Sequence, residues 1–306
     1  MKYEGKSIFF IGDSITANGL FLKYLRTYFK RTGRNVSLYN KGIPGGTLTI
    51  LHTALEEELH CKKPDVAVIC FGINDLRYWE YNSDILGTEK LEQTREKQRT
   101  IYAEKMNSLI EKLSKLGITP ILCSPFAVSR YLAAADNIET VVDSKEKSSI
   151  NNKFYNTEVF AKINESLNEL RDFLKSLSEE RGIEFWDNFN ATYELSESST
   201  YNSDGIHFST VGNQLIAKLI LKNMYGEELT EFETDDECEE IAAREFDERA
   251  YFFIKYNIMR PVVKERTVAE LREKFEEWLK KNGNTQGVTK AREEAFFRFL
   301  SSRGHV

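Results

Sequence analysis

Ile8-Phe9-Phe10-Ile11-Gly12-Asp13-Ser14-Ile15 decides how this chain is read. An apolar run too short for a helix empties directly into a glycine, an acid and a hydroxyl, which is the signature of a buried strand ending in a turn. The unit recurs. Strand-like runs at residues 7–11, 36–39, 66–71, 119–123 and 183–186 alternate with helical patterns at about 17–31, 47–60, 97–116, 157–181 and 209–225. Five strands separated by helices predict an α/β fold, a parallel sheet covered on both faces and built from right-handed crossovers. Runs such as Val66-Ala-Val-Ile-Cys-Phe71 suit burial on both sides. Two connections, about 76–96 and 125–156, are too long for simple turns, and loops of that length are usually functional or mobile.

A length of 306 residues with 41% hydrophobic content supports one main domain plus an appendage. The division is placed at 1–225 and 226–306, because the composition changes there. Residues 227–249 hold twelve acids against Arg244 and Arg249, whereas residues 250–306 hold twelve Lys or Arg against seven acids. No strand-like run follows. Thr267-Val-Ala-Glu270 reads as a capping box opening a helix through Trp278, and residues 288–302 repeat the helical pattern. This region is expected to be a helical appendage. Its acidic and basic halves could attract one another or a second copy of the chain, but the favoured reading of such a charge run is a solvated helix face.

The net charge of −6 leaves no basic stripe for phosphates, so no nucleic-acid partner is expected. No run approaches the roughly 20 apolar residues of a membrane span, and the N-terminus lacks the pattern of a secretory signal, so a cytoplasmic location is expected. Cys61, Cys70, Cys123 and Cys238 fall at no metal-ligand spacing. Neither a metal nor a disulfide framework is expected.

Four short motifs close successive elements. Ser14 follows the first strand, Gly45 in Gly42-Ile-Pro-Gly-Gly-Thr47 the second, and Asn74 in Phe71-Gly-Ile-Asn-Asp75 the third. In an open parallel sheet these carboxyl ends share one rim, where ligands bind. Asp204-Gly-Ile-His207 lies just ahead of the last helix of the sheet domain and can reach the same rim. A serine hydroxyl is a poor nucleophile until a base takes its proton. Of the four histidines, His52 and His60 sit in a helix running away from the rim and His305 is penultimate, which leaves His207. Asp204 can accept from the far ring nitrogen and orient the imidazole. The Ser14 and Gly45 backbone N–H groups and the Asn74 amide are candidate oxyanion donors, with Gly46 the alternative to Gly45. Tyr78, Trp79 and Tyr81 follow closely and form a candidate aromatic wall for substrate, with packing of the long connection the equal alternative. Each motif alone has an ordinary structural reading as a cap or turn. Those readings do not explain why all four converge on one rim in this order.

The chain resembles the SGNH/GDSL hydrolase family on four blocks: Gly12-Asp13-Ser14, Gly45, Gly72-Ile-Asn74-Asp75 and Asp204-Gly-Ile-His207. The resemblance covers about residues 6–225. The first block carries isoleucine where the family name implies leucine, and the region after 226 has no counterpart in the pattern. What the resemblance implies is a three-layer flavodoxin-like fold and acyl-ester hydrolysis without metal or cofactor. The activity expected is that of a serine esterase on small soluble esters or acetylated carbohydrates. The alternatives are acyl transfer or thioester cleavage at the same site, and a non-catalytic module binding a sugar or anion. Homo-oligomerisation through the C-terminal helices is a further expectation.

Overall fold

The computed structural model describes residues 2–60, 62–82, 84–129, 157–195, 201, 205–258, 268–282 and 290–302. Its centre is a sheet of β1 (Ser7–Gly12), β2 (Ser37–Gly42), β3 (Val66–Cys70), β4 (Thr119–Cys123) and β5 (Glu184–Trp186). All four pairings are parallel, in the order β2-β1-β3-β4-β5. The order reverses at β1, and this doubly wound arrangement is flavodoxin-like. Alternation across each strand builds two cores. Phe9, Ile11, Ala67, Ile69 and Leu122 face one. Ile8, Phe10, Val66, Val68 and Ile121 face the other.

The first core is covered by α3 (Leu48–His60), α4 (Glu89–Lys115) and α5 (Thr157–Arg181), the second by α2 (Leu20–Arg31) and α7 (Thr210–Tyr225). The predicted helix at 17–31 is in fact two, because α1 (Ser14–Asn18) stops at Gly19 in a left-handed conformation and α2 starts afresh. The predicted helix at 97–116 begins eight residues earlier, where Thr88 caps it and Glu89 and Glu92 favour its first turn. That first stretch reads as polar because its inward positions include Arg95, which is buried and bridges Glu92, Glu165 and Glu169. The connection after β3 is correspondingly shorter and holds one 3-10 turn, Tyr78–Glu80. A short α6 (Asn188–Tyr193) follows β5. Most of the connection at 125–156 lies outside the described residues.

Beyond residue 226 come α8 (Asp236–Phe253), a π turn (Ile254–Ile258), α9 (Val268–Asn282) and α10 (Lys290–Ser302). Thr267 of the expected capping box lies outside the described residues. Much of the acidic run is exposed, as a solvated face would be, but its carboxylates also pair with cations of the sheet domain. Lys30 pairs with Asp235 and Glu237, Arg31 with Glu231 and Glu233, Arg34 with Glu227, and Arg26 with Glu245. These cations lie along or just beyond α2, so the acidic segment is strapped to the basic face of a helix in the sheet domain. Only Arg298 with Asp247 links the two halves of the appendage among the ion pairs of the described residues. At the end of α8, Tyr251, Phe252 and Phe253 join the first core, together with Phe275 and Phe296. No helix among the described residues is long and apolar enough to cross a membrane.

Candidate active site

Ser14 opens α1 because Asp13 caps it, its carboxylate accepting from the Ile15 N–H at 2.9 Å. The turn places the hydroxyl at the carboxyl end of β1. Asn40, buried in β2, braces the other end of α1, its amide donating to the Ala17 carbonyl at 3.1 Å while its side-chain oxygen accepts from Gly42.

His207 arrives from the opposite side of the sheet order. Its Nε2 lies 2.7 Å from Ser14 Oγ, a contact spanning 193 residues of sequence. Both side chains are half-buried. Three features hold the histidine loop. Gly205, at φ +88°, accepts from the Ser129 N–H at 2.8 Å, and a Cβ there would stand 2.5 Å from the Ser129 carbonyl. Phe208 packs edge to face on Phe126 with centroids 5.1 Å apart. The Asn213 amide donates to the carbonyls of Phe208 and Ser209, and Ser209 caps α7. Asp204 lies outside the described residues.

Gly45 stands at φ +67°, a conformation that favours glycine. Between the two glycines the hydrogen bonding discriminates: the Gly46 N–H is committed to the Ile43 carbonyl at 2.7 Å, which leaves Gly45 as the exposed candidate donor. Asn74 is buried and donates one amide hydrogen to the Gly46 carbonyl at 3.1 Å, so a single N–H remains to serve a ligand. Asp75 turns away from chemistry. Its Oδ1 accepts from the Leu48 N–H at 2.9 Å and so ties the third motif to the start of α3. Its Oδ2 is buried with no hydrogen-bond partner among the described residues. Burial raises Asp75 to about 8, the nearby Asp13 adding to the effect, and burial likewise raises Asp13 to about 6.

Two clefts meet at the Pro44–Gly45 turn. The first, of about 340 Å³, exposes Ser14 and His207 beside Pro44 and Phe208. The second, of about 380 Å³, is lined by Gly45, Asn74, Arg77 and Trp79. Thus Ser14 and His207 share one cleft, and Gly45 and Asn74 share its neighbour. Of the candidate aromatic wall, Trp79 is 47% exposed and faces the second cleft, stacked edge-on with Tyr78. Tyr78 is half-buried and packs against the first core. Tyr81 does not belong to the wall: it is fully buried, and its hydroxyl bonds Ser166 of α5 at 3.1 Å. An aromatic three residues further along a 3-10 turn points into the body because the apolar core beneath that turn takes it. Sequence reasoning missed the far side of the first cleft, where Phe246, Arg249 and Ala250 of α8 and Arg292 of α10 complete the wall. Among the described residues, no three His, Cys, Asp or Glu side chains cluster to hold a metal ion.

Residues 8–220 match the family model described as GDSL-like Lipase/Acylhydrolase. No curated protein matches the sequence. Among solved structures, similar ones include an acetylxylan esterase from Geobacillus stearothermophilus, with a TM-score of 0.53 and 21% identity over 76% of this chain and 100% of that one. A gut microbial diltiazem-metabolizing enzyme gives a TM-score of 0.56 at 21% identity, over 72% of this chain but only 47% of its own. A further acetyl xylan esterase gives 0.50 at 20% identity, covering 71% of this chain and 98% of that one. At these identities the likeness is one of fold.

Proposed function

The chain belongs to the GDSL-like lipase/acylhydrolase family, and from that premise we propose that it hydrolyses small carboxylic esters, acetylated carbohydrates among them, through an acyl-enzyme on Ser14. The observation that carries this reading is the 2.7 Å contact between Ser14 Oγ and His207 Nε2 at the rim of the sheet. In this proposal His207 takes the Ser14 proton as the hydroxyl attacks the ester carbonyl. The oxyanion is held by the Ser14 and Gly45 N–H groups and the remaining Asn74 N–H. His207 then gives its proton to the leaving alcohol and activates the water that releases the acid. Asp204, three residues before His207, orients the imidazole and stabilises its charged form. The Geobacillus esterase lends support, since its catalytic mutants replace a serine, an aspartate and a histidine, the last two three positions apart. Trp79 offers a stacking face for a sugar in the second cleft.

The direct test is labelling with an organophosphonate probe. Intact mass should rise by one phosphonyl group in the wild-type protein and not in Ser14→Ala; an unlabelled wild type would favour a module that binds without catalysis. The hydrolysis rate of 4-nitrophenyl acetate should rise from acid to neutral pH, because a protonated His207 cannot act as base. A rate flat across that range would remove His207 from the role.

A further inference from the structure

Phe246 is an aromatic side chain that the fold leaves open beside the nucleophile. It is 43% exposed, lines the first cleft with Ser14 and His207, and stacks on no other ring among the described residues. Single exposed aromatics are common on protein surfaces, but the surroundings of this one are built. Phe246, Arg249 and Ala250 stand three and four positions apart on α8, so they share the helix face turned to the cleft. Arg249 is fully buried and matched by Glu58 and Glu248, which fixes that face against the sheet domain. Phe246 is therefore carried by a docked helix rather than by a loop. Ala17, Pro44, Phe208 and Ala250 supply further apolar surface to the cleft, and Arg292 on the same wall lies over the Phe253 ring at 4.7 Å.

The chemistry fixes which half of an ester meets this face. On attack the bond from Ser14 Oγ to the acyl carbon forms, and the Oγ proton passes to His207 Nε2. Collapse then breaks the bond from the acyl carbon to the alcohol oxygen, and the proton goes from Nε2 to that oxygen. The alcohol oxygen must therefore come within hydrogen-bond reach of His207, which lies in the first cleft. The carbonyl oxygen turns instead to Gly45 and Asn74, which line the second. A ring carried by the alcohol thus lies against the lining that includes Phe246.

We propose that Phe246 selects the leaving alcohol, stacking on a ring with an apolar face, aromatic or a sugar's, carried by the alcohol half of the ester. The inference rests on Ser14 being the ester nucleophile of the same cleft. It makes α8, which lies outside the family-matched residues 8–220, a part of the active site. In a glycan ester the sugar bearing the ester lies against Phe246, and Trp79 in the second cleft is left for a neighbouring unit. Benzyl acetate and methyl 6-O-acetyl-β-D-glucopyranoside are compared with ethyl acetate, all esters of primary alcohols, while ethyl phenylacetate places the ring on the acyl side. Each ratio of kcat/KM is taken within one full-length variant, so that a change in the folded fraction cancels. The wild type should favour at least one ring alcohol over ethyl acetate by about tenfold, and Phe246→Ala should remove most of that preference. Phe246→Tyr, which keeps the ring, should preserve it. The benzyl and glucoside arms tell an aromatic ring from a sugar. No ring preference in the wild type, a preference that Phe246→Ala leaves in place, or a loss confined to ethyl phenylacetate would overturn the inference while ester hydrolysis by Ser14 stands. A wild type that hydrolyses none of the four esters would overturn the proposed function with it.

Discussion

The rim at the carboxyl ends of β1, β2 and β3 and the clasp formed by α8 border the same cleft, yet they use polar groups in opposite ways. At the rim, polar groups are left open to the cleft. Ser14 and His207 face one another half-exposed, and Asp75 holds a buried oxygen with no partner among the described residues. In the clasp, charge is matched. Arg249 reaches Glu58, Glu248 and the Gly42 carbonyl, and Lys41 bridges the same two carboxylates. The two regions are joined through Asn40, whose N–H donates to Glu245 of α8 at 2.8 Å while its side chain braces α1. The contrast is a division of labour. Polar groups open to a cleft can meet a reacting ligand, whereas charges matched by several carboxylates secure a docked element.

The contrast breaks most severely if rim residues prove structural. Ser14→Ala should reduce hydrolysis of 4-nitrophenyl acetate by a factor on the order of 10⁴ or more, with the melting temperature held or slightly raised. A large drop in melting temperature with residual activity would place Ser14 on the side of the clasp. Next in size, Arg249→Ala should destabilise the protein by about 3–5 kcal/mol in urea denaturation, because it leaves Glu58 buried without its main partner. A change below about 1 kcal/mol would show the clasp to be passive.

A smaller effect comes from pH. Burial raises Asp75 to about 8 and Asp13 to about 6, from 3.8 in both cases. Between pH 4 and 8 the native state therefore binds more protons than the unfolded chain, so these groups make stability fall as pH rises through that window. Asp75→Asn should flatten the fall by an amount on the order of 2 kcal/mol between pH 5 and 8, measured by urea midpoints. An unchanged slope would show that Asp75 meets the ordinary cost of ionisation in the fold. Smallest of all, Arg31→Ala removes exposed pairs with Glu231 and Glu233 and should cost no more than about 1 kcal/mol, less in high salt. A loss matching that of Arg249→Ala would mean that the outer strap, rather than the buried centre, holds α8.

Legibility in the sequence followed burial. β1, β3 and β4 lie within a residue of their expected bounds because they are short apolar runs buried on both faces. β2 runs three residues past its expected end, to Gly42. It is an edge strand, and its second half, Asn40-Lys41-Gly42, is polar because it serves α1 and α8 rather than a core. Tyr81 and Trp79 could not be told apart by residue type. Two positions along a 3-10 turn separate a core side chain from one facing a cleft.

By itself the sequence determined the parallel α/β sheet, the rim on which its motifs gather, and the family to which residues 8–220 belong, because each rests on local patterns: apolar periodicity, turn residues at strand ends and short fixed spacings. Only the tertiary structure decided that Ser14 and His207 touch, that Gly46 rather than Gly45 is consumed by its own turn, and that the acidic run grips α2. Only it brought Phe246, Arg249 and Arg292 to the nucleophile. Apart from the local Gly46 turn, those outcomes depend on pairs roughly 200 residues or more apart, where charge complementarity and packing select one partner among many and no periodicity in the chain records the choice.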